Sequence, residues 1–158
     1  MPRSRIVLMA VLALGLTAVP GRAGEADKAN LGILLDTIRA NRKALVAANL
    51  TLTDEEAGKF WPLYDRYQGE LNAVQDRGVK IIEDYSASFK NLSDEKAMKL
   101  AGDWLAAEAD RVKIRQTYLD QFAKVLPGRK VVRFYQIENK MDAVVRYELA
   151  KDIPVVDQ

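Results

Sequence analysis

Residues 53–74 read TDEEAGKFWPLYDRYQGELNAV, and they carry the clearest helix signals in the chain. Thr53 is placed to cap the free amides at the start of a helix, and Glu56 is placed to complete a capping box. From Phe60 onward, apolar residues recur at alternating spacings of four and three, which is typical of a helix with a heptad seam. These residues are Phe60, Tyr64, Tyr67, Leu71, Val74, Gly78, Ile81 and Tyr85. The pattern predicts a long helix over 54–89, which Pro62 should bend near its start or divide into two pieces.

A second long helix is predicted after Ser93, which is a suitable N-cap residue and is followed by Asp94 and Glu95 in the first turn. A heptad-like apolar pattern continues along it, with Arg111 at one seam position, and the helix should end at Leu126-Pro127-Gly128. The apolar members of this pattern are Leu100, Trp104, Ala107, Ile114, Tyr118, Phe122 and Val125.

Two shorter amphipathic helices are predicted on either side of this pair, over about 27–48 and about 129–150. The first places Arg39, Arg42 and Lys43 largely away from an apolar side that consists of Leu31, Leu34, Leu35, Ile38, Leu45 and Val46. The last has an apolar side that consists of Phe134, Ile137, Met141, Val144 and Val145.

The predicted fold class is therefore all-α, with four helices. The two long helices should form an antiparallel helical hairpin, because a short connection joins them. A helix over 54–89 would be about 54 Å long at 1.5 Å per residue, so we expect an elongated molecule and a cradle-like homodimer that covers the remaining apolar surface.

The N-terminus has the pattern of a signal peptide. Arg3 and Arg5 precede an uninterrupted apolar run from Ile6 to Val19, which is shorter than the roughly 20 residues that a membrane-spanning helix needs. Small residues then surround a predicted cleavage point after Ala23. We therefore expect residues 1–23 to be removed, residues 24–158 to form one domain in the periplasm, and no stable membrane span to remain after processing.

Composition excludes several classes of function. Cleavage would remove three arginines and no acids, which leaves 21 basic and 22 acidic residues, so a nucleic-acid-binding role is not expected. The chain has no histidine and no cysteine, which removes the commonest catalytic bases, thiol nucleophiles and soft-metal ligands. Met98 and Met141 are better interpreted as core residues than as metal ligands. We predict no enzyme, no metal site and no cofactor.

Charge is distributed unevenly along the chain. Residues 54–89 carry eight acids and four bases, whereas residues 124–151 carry seven bases and three acids. The basic residues of the second range, together with Tyr135, are either a surface for client proteins or ordinary partners for acidic helix faces. Trp61 is likewise a candidate contact for a client or a dimer partner, or simply a packing residue. The candidate surface comprises Trp61, Arg129, Lys130, Arg133, Tyr135, Lys140 and Arg146.

The chain resembles the Spy/CpxP family of small exported helical proteins, which carry two LTxxQ-type motifs. Leu52-Thr53-Asp54-Glu55-Glu56 resembles the first motif, with Glu56 at the glutamine position. Leu126-Pro127-Gly128-Arg129-Lys130 corresponds in position to the second, where only Leu126 is retained. The segment over 134–154 is similar to the tail of an uncharacterised group of exported bacterial proteins.

The resemblance implies an antiparallel, cradle-shaped dimer that shields unfolded envelope proteins without ATP, or that restrains an envelope-stress sensor. Its partners would be unfolded or envelope proteins. Two alternatives stay open at this point. One is a structural or regulatory helical dimer with a single dedicated partner, and the other is a metal-stress-related periplasmic sensor.

Overall fold

The computed structural model describes residues 23–151 and 153–156, so the predicted signal peptide lies outside the described residues except for Ala23. Within the described ranges the chain forms helices and no strand, which confirms the all-α class. A short 3-10 helix, Phe89–Asn91, follows the second α-helix. The four α-helices are α1 (Ala23–Asn49), α2 (Asp54–Ser88), α3 (Asp94–Val125) and α4 (Gly128–Ala150).

The helix boundaries follow from capping residues that the sequence identifies. The hydroxyl of Thr53 accepts a hydrogen bond from the Glu56 amide at 3.2 Å, and the Glu56 carboxylate accepts one from the Thr53 amide at 2.8 Å. This is the predicted capping box, and a cap of this kind typically contributes about 1 kcal/mol. At the start of α3, Ser93 accepts a hydrogen bond from the Lys96 amide at 3.3 Å, as predicted.

Pro62 lies inside α2, which continues through it without interruption. The alternative in which Pro62 divides off a separate leading piece is therefore wrong, while a bend at this point stays a prediction. A proline ring inside a helix crowds the carbonyl four residues earlier, which here belongs to Gly58. Contacts between the aromatic residues on either side of Pro62 and the other helices hold the segment in the helix.

The hydrophobic core is centred on aromatic rings from three helices. The Phe60 ring centroid lies 5.4 Å from that of Phe122 and 5.3 Å from that of Phe134, and the Phe122 and Phe134 centroids are 4.7 Å apart. All three side chains are fully buried, and complete burial of one such side chain contributes about 1.5–3 kcal/mol. Val46 and Leu50, at the C-terminal end of α1, pack in the same cluster.

Helices α2 and α3 contact each other in opposite chain directions. Early in α2, Tyr67 packs on Tyr118 late in α3, with 5.3 Å between ring centroids. Further along α2, Arg77 donates to Asp110, which lies nearer the start of α3, at 2.7 Å. The elongated hairpin shape and the cradle-like dimer stay predictions.

Five residues differ from their predicted positions. Trp104 was expected on the inward seam of α3 but is 39% exposed, because it borders an open cavity between the helices. Arg42 was expected largely outside the apolar side of α1, yet it is buried, because α4 supplies carboxylates that pair with it. Val144 and Leu45 were expected in the core but are exposed, because each lies about 100° around the helix from a neighbour that faces inward. Met98, interpreted as a core residue, is 74% exposed near the start of α3. Met141 does pack against the core.

Candidate functional site

A buried ion cluster joins three helices next to the aromatic core. The carboxylate of Asp142 on α4 accepts hydrogen bonds from Arg42 on α1 and Arg111 on α3, and from Arg115 Nη1 at 3.0 Å. Asp142, Arg111 and Arg115 retain between 15% and 20% of their side-chain exposure, and Arg42 retains 10%. We refer to Arg42, Arg111, Arg115 and Asp142 as the central ion cluster.

Glu138 lies one helical turn before Asp142 and is completely buried. Its Oε2 accepts a hydrogen bond from Gln68 Nε2 at 3.0 Å and lies 3.7 Å from Arg42 Nη1. Its other oxygen has no hydrogen-bond donor among the described residues, nor do the buried hydroxyls of Tyr64 and Tyr67 have a partner there. A buried polar atom without a partner costs free energy, so this region is held in place by the surrounding packing.

The two carboxylates have pKa values shifted in opposite directions. Burial raises the pKa of Glu138 above its ordinary value, and the charge of Arg42 offsets only part of that effect. Burial would also raise the pKa of Asp142, but the charges and hydrogen bonds of Arg42 and Arg111 outweigh it and lower the pKa. Asp142 is thus held ionised as a structural counter-ion, which is the usual role of a carboxylate between several arginines.

Within residues 23–151 and 153–156, no group of three or more acidic, histidine or cysteine side chains is arranged to hold a metal ion. The same part of the chain contains no helix that is both long enough and apolar enough to cross a bilayer. The central ion cluster holds no nucleophile, and its arginines are engaged with a carboxylate.

A row of exposed apolar side chains runs along α3. Met98, Leu105, Val112 and Leu119 recur at every seventh position, and their exposed fractions are 74%, 68%, 49% and 45%. Because seven residues make nearly two helical turns, the four side chains lie on one side of the helix. We call these four residues the α3 stripe.

Smaller residues alternate with the α3 stripe. Gly102, Ala109 and Ala123 are exposed and each follows a stripe residue by four positions, as does Gln116. The combined spacing of four and three is that of a coiled-coil seam, and the small residues leave gaps between the larger ones. An open groove of about 510 Å³ between α3 and α4 borders the stripe at Val112 and Leu119.

The two aromatic candidates from the sequence are packed within the chain. Trp61 is half-buried, lies edge-on to Phe60 with 5.0 Å between centroids, and is covered by the ammonium of Lys43 at 5.5 Å. Tyr135 donates from its hydroxyl to the Arg115 carbonyl at 2.8 Å, and burial raises its pKa to about 12. These contacts favour the packing interpretation for both residues, and the client-contact interpretation stays a prediction.

Most of the basic candidates also have partners in the chain. Lys130 donates to Glu56 at 2.5 Å, which joins α4 to the first turn of α2 and lowers the pKa of Glu56. Arg133 Nε donates to the Asn49 carbonyl at 2.6 Å, and Arg146 pairs with Glu108 at 2.7 Å. Arg129 and Lys140 are the two remaining basic candidates, and both are exposed on α4.

The family-like motif residues have structural roles. Thr53 and Glu56 form the capping box, and Leu52 packs against the hydrophobic core. Leu126 is buried at the C-terminal end of α3, where its extended backbone turns the chain toward Pro127 and α4. The two motif positions therefore lie at helix starts, next to the aromatic core.

Sequence reasoning missed the α3 stripe and Glu138. The apolar heptad 98, 105, 112 and 119 is visible in the sequence, but it lies one position from the stronger inward seam of α3. Glu138 lies on the same helix face as Phe134 and Met141, at spacings of four and three, but a carboxylate at such a position is not expected to be buried unless other helices supply partners. Its burial depends on partners that α1 and α2 bring together.

Comparison of the chain with protein-family models, with curated proteins and with solved structures finds no match.

Proposed function

We propose that this protein is a non-enzymatic binding protein of the bacterial envelope that holds apolar segments of other polypeptides along the α3 stripe. The proposal includes export to the periplasm with removal of residues 1–23, and action without ATP. It is consistent with the resemblance to the Spy/CpxP family, and it assigns the binding to α3 instead of the basic residues of α4.

The observation that carries the proposal is the α3 stripe itself. Four large apolar side chains aligned on one helix face are unusual on a protein surface, where apolar residues are normally scattered singly. Burying one such side chain against a partner contributes about 1.5–3 kcal/mol, so two or three of them supply the central contacts of an interface. The adjoining groove between α3 and α4 has room for part of the bound polypeptide segment.

The partner chemistry follows from the residues beside the stripe. Two exposed lysines, Lys99 and Lys113, and one exposed acid, Asp120, each follow a stripe residue directly, and Lys99 pairs with Asp103 at 2.5 Å. A partner segment with apolar residues at helical spacing and charged residues of both signs at its edge would match both features. Such amphipathic helices bind in apolar grooves by residues spaced at three and four positions. Partly unfolded envelope proteins and a dedicated regulatory helix both present this chemistry.

Suppression of client aggregation tests the proposal and separates a general chaperone from a dedicated adaptor. Several unrelated proteins would be unfolded and diluted with the mature chain, and light scattering would be followed. We expect slower aggregation of more than one client. The double variant Leu105→Glu with Val112→Glu should lose this protection. Val144→Glu is the matched control, because Val144 is equally exposed but lies on α4, away from the stripe.

If the Leu105→Glu, Val112→Glu variant still slows client aggregation, the proposal is contradicted. Protection that is lost equally in the Val144 control would contradict it as well, because added negative charge alone would then explain the loss. Binding of one envelope protein without protection of unrelated clients would assign the dedicated-adaptor form of the function.

A homodimer through α3 is the second candidate, and the alternation of large and small residues favours it. If two α3 helices pack antiparallel, Val112 falls opposite Ala109 of the second copy and Leu119 falls opposite Gly102. The same register places Lys99 near Asp120 of the second copy at the edge of the seam. Large residues would then fill the gaps beside small ones, as close helix packing requires.

Sedimentation velocity distinguishes the dimer from client binding. A dimer through the stripe should dissociate in the Leu105→Glu, Val112→Glu variant and persist in Val144→Glu. A monomer at tens of micromolar in the parent would exclude the second candidate. Because both functions use the same face, a parent dimer that also protects clients should lose dimer content as client is added.

A further inference from the structure

A cavity of about 290 Å³ lies between the four helices and borders the central ion cluster. Most of its wall is apolar, and the apolar residues include Val74 and Ile82 from α2, Trp104 from α3, and Val145 and Leu149 from α4. No residue of the α3 stripe lines it. The cavity and the stripe are therefore separate surfaces of the molecule.

The segment that follows α4 reaches the rim of this cavity. We call residues 153–156, which read Ile-Pro-Val-Val, the tail segment. Ile153 lines the cavity and is half-buried, and the Pro154 carbonyl accepts a hydrogen bond from Tyr85 Oη at 2.7 Å. A residue that precedes proline favours an extended backbone. The chain thus presents an extended aliphatic segment to its own cavity, held by one side chain and one main-chain carbonyl.

One face of α2 is shaped for such a segment. Gly78, Ile82 and Tyr85 recur at spacings of four and three, so they share one side of the helix. Gly78 and Ile82 line the cavity, and a Cβ added at Gly78 would lie 3.8 Å from the Trp104 ring. The face therefore combines an apolar slot with a hydroxyl donor at its rim. Sites that bind extended peptides use this combination, in which a pocket takes a side chain and a donor takes the main chain.

The arginines that line the cavity are already paired, so an uncharged segment fits it best. The pairs are Arg39 with Asp76, Arg146 with Glu108, and both Arg42 and Arg111 with Asp142. A charged side chain entering the cavity would have to break one of these pairs or be buried without a counter-ion, which is costly. The tail segment is itself uncharged and disturbs none of them.

We propose that the tail segment is a displaceable occupant of this cavity, and that an extended, uncharged segment of another polypeptide binds there in its place. The incoming segment would put an aliphatic side chain into the cavity and a main-chain carbonyl at Tyr85. The tail segment is easily released because few contacts hold it: Val155 is 87% exposed and Val156 is 47% exposed. This is a second binding site, and it does not depend on the α3 stripe.

Tryptophan fluorescence tests the proposal with a synthetic peptide of residues 151–158 as the probe. The chain has two tryptophans, of which Trp104 lines the cavity and Trp61 does not. In a Trp61→Phe background, the full chain that carries Ile153→Gly should bind the peptide and change the Trp104 emission saturably. We expect its Kd to be at least about tenfold lower than that of the chain with the native tail segment, because a tethered segment competes at a high effective concentration. A peptide that itself carries Ile153→Gly is the control and should not bind.

Two further variants of the Ile153→Gly chain locate the binding. Gly78→Leu places a side chain in the cavity and should abolish the response, whereas Gly69→Leu is its matched control, because Gly69 lies on the same helix with open space around it and does not line the cavity. Tyr85→Phe removes the hydroxyl donor and should weaken the peptide about three- to tenfold. Tyr147→Phe is the control for this change, because Tyr147 is 68% exposed and does not line the cavity.

Three results would overturn the inference. The first is the absence of a saturable response to the peptide in the Ile153→Gly chain. The second is equal binding of the native and control peptides, or equal binding by the chains with and without Ile153→Gly. The third is a response that survives Tyr85→Phe unchanged but disappears in the Leu105→Glu, Val112→Glu variant, which would place the binding on the α3 stripe. Because Tyr85→Phe removes only a hydroxyl group at the rim, the test holds even if Gly78→Leu fails to fold.

Discussion

Replacing Asp142 by asparagine removes the one carboxylate that three arginines share. Arg42, Arg111 and Arg115 all donate to Asp142, and Arg42 is almost completely buried. In the variant, Arg42 keeps only the more distant Glu138 as a counter-ion, at 3.7 Å. Removing one partner of a buried pair typically costs about 3–5 kcal/mol, because the other charge stays buried without compensation.

Asparagine has nearly the volume of aspartate and keeps one hydrogen-bond acceptor, so we expect the lower end of that range. The free energy of unfolding should fall by about 3 kcal/mol, which corresponds to roughly 10 °C in the melting temperature of a domain of this size. Urea titration followed by circular dichroism at 222 nm measures the first quantity, and a thermal melt measures the second.

Asp65→Asn is the matched control. Asp65 pairs with Lys43 at 2.6 Å, but the two side chains are 56% and 50% exposed. An exposed pair of this kind contributes about 0–1 kcal/mol. Equal destabilisation by Asp142→Asn and Asp65→Asn would show that the shared carboxylate of Asp142 contributes no more than an exposed ion pair. The lowered pKa of Asp142 also means that its contribution is present at neutral pH and is lost only as the pH falls through that lowered value.

Three further predictions concern Glu138, the core and processing. Because burial raises the pKa of Glu138, its ionised form opposes folding above that pKa, so Glu138→Gln should stabilise the protein at pH 7 and lose this advantage near pH 4. A series of melts across this range checks it, and destabilisation at pH 7 would contradict it. Phe134→Ala should cost about 3–5 kcal/mol in urea titrations, whereas Val144→Ala should change stability by less than about 0.5 kcal/mol. Intact-mass measurement on the periplasmic fraction should find a chain that begins at Gly24, and an uncleaved chain would disprove export.

The helices and much of the core could be predicted because their signals are local. Thr53, Glu56 and Ser93 act as caps through neighbours within three residues, and a single sequence contains that information. The seam of α2 likewise identifies Phe60 and Tyr67 as buried, since helical periodicity determines which residues share a face.

The candidate sites could not be predicted in the same way because they depend on which helices become neighbours. Arg42 is buried only because α4 brings Asp142 against α1, a contact between residues one hundred positions apart. The α3 stripe is identifiable only once the residues that cover the rest of α3 are known.

Site-specific crosslinking would detect binding of other polypeptides at the α3 stripe itself. A photoreactive phenylalanine would replace Leu105 in one variant and Val144 in another, and each would be illuminated with an unfolding client. We expect covalent client adducts from position 105 that unlabelled client competes away, and few adducts from position 144. Equal adducts at both positions, or adducts at position 144 alone, would contradict it.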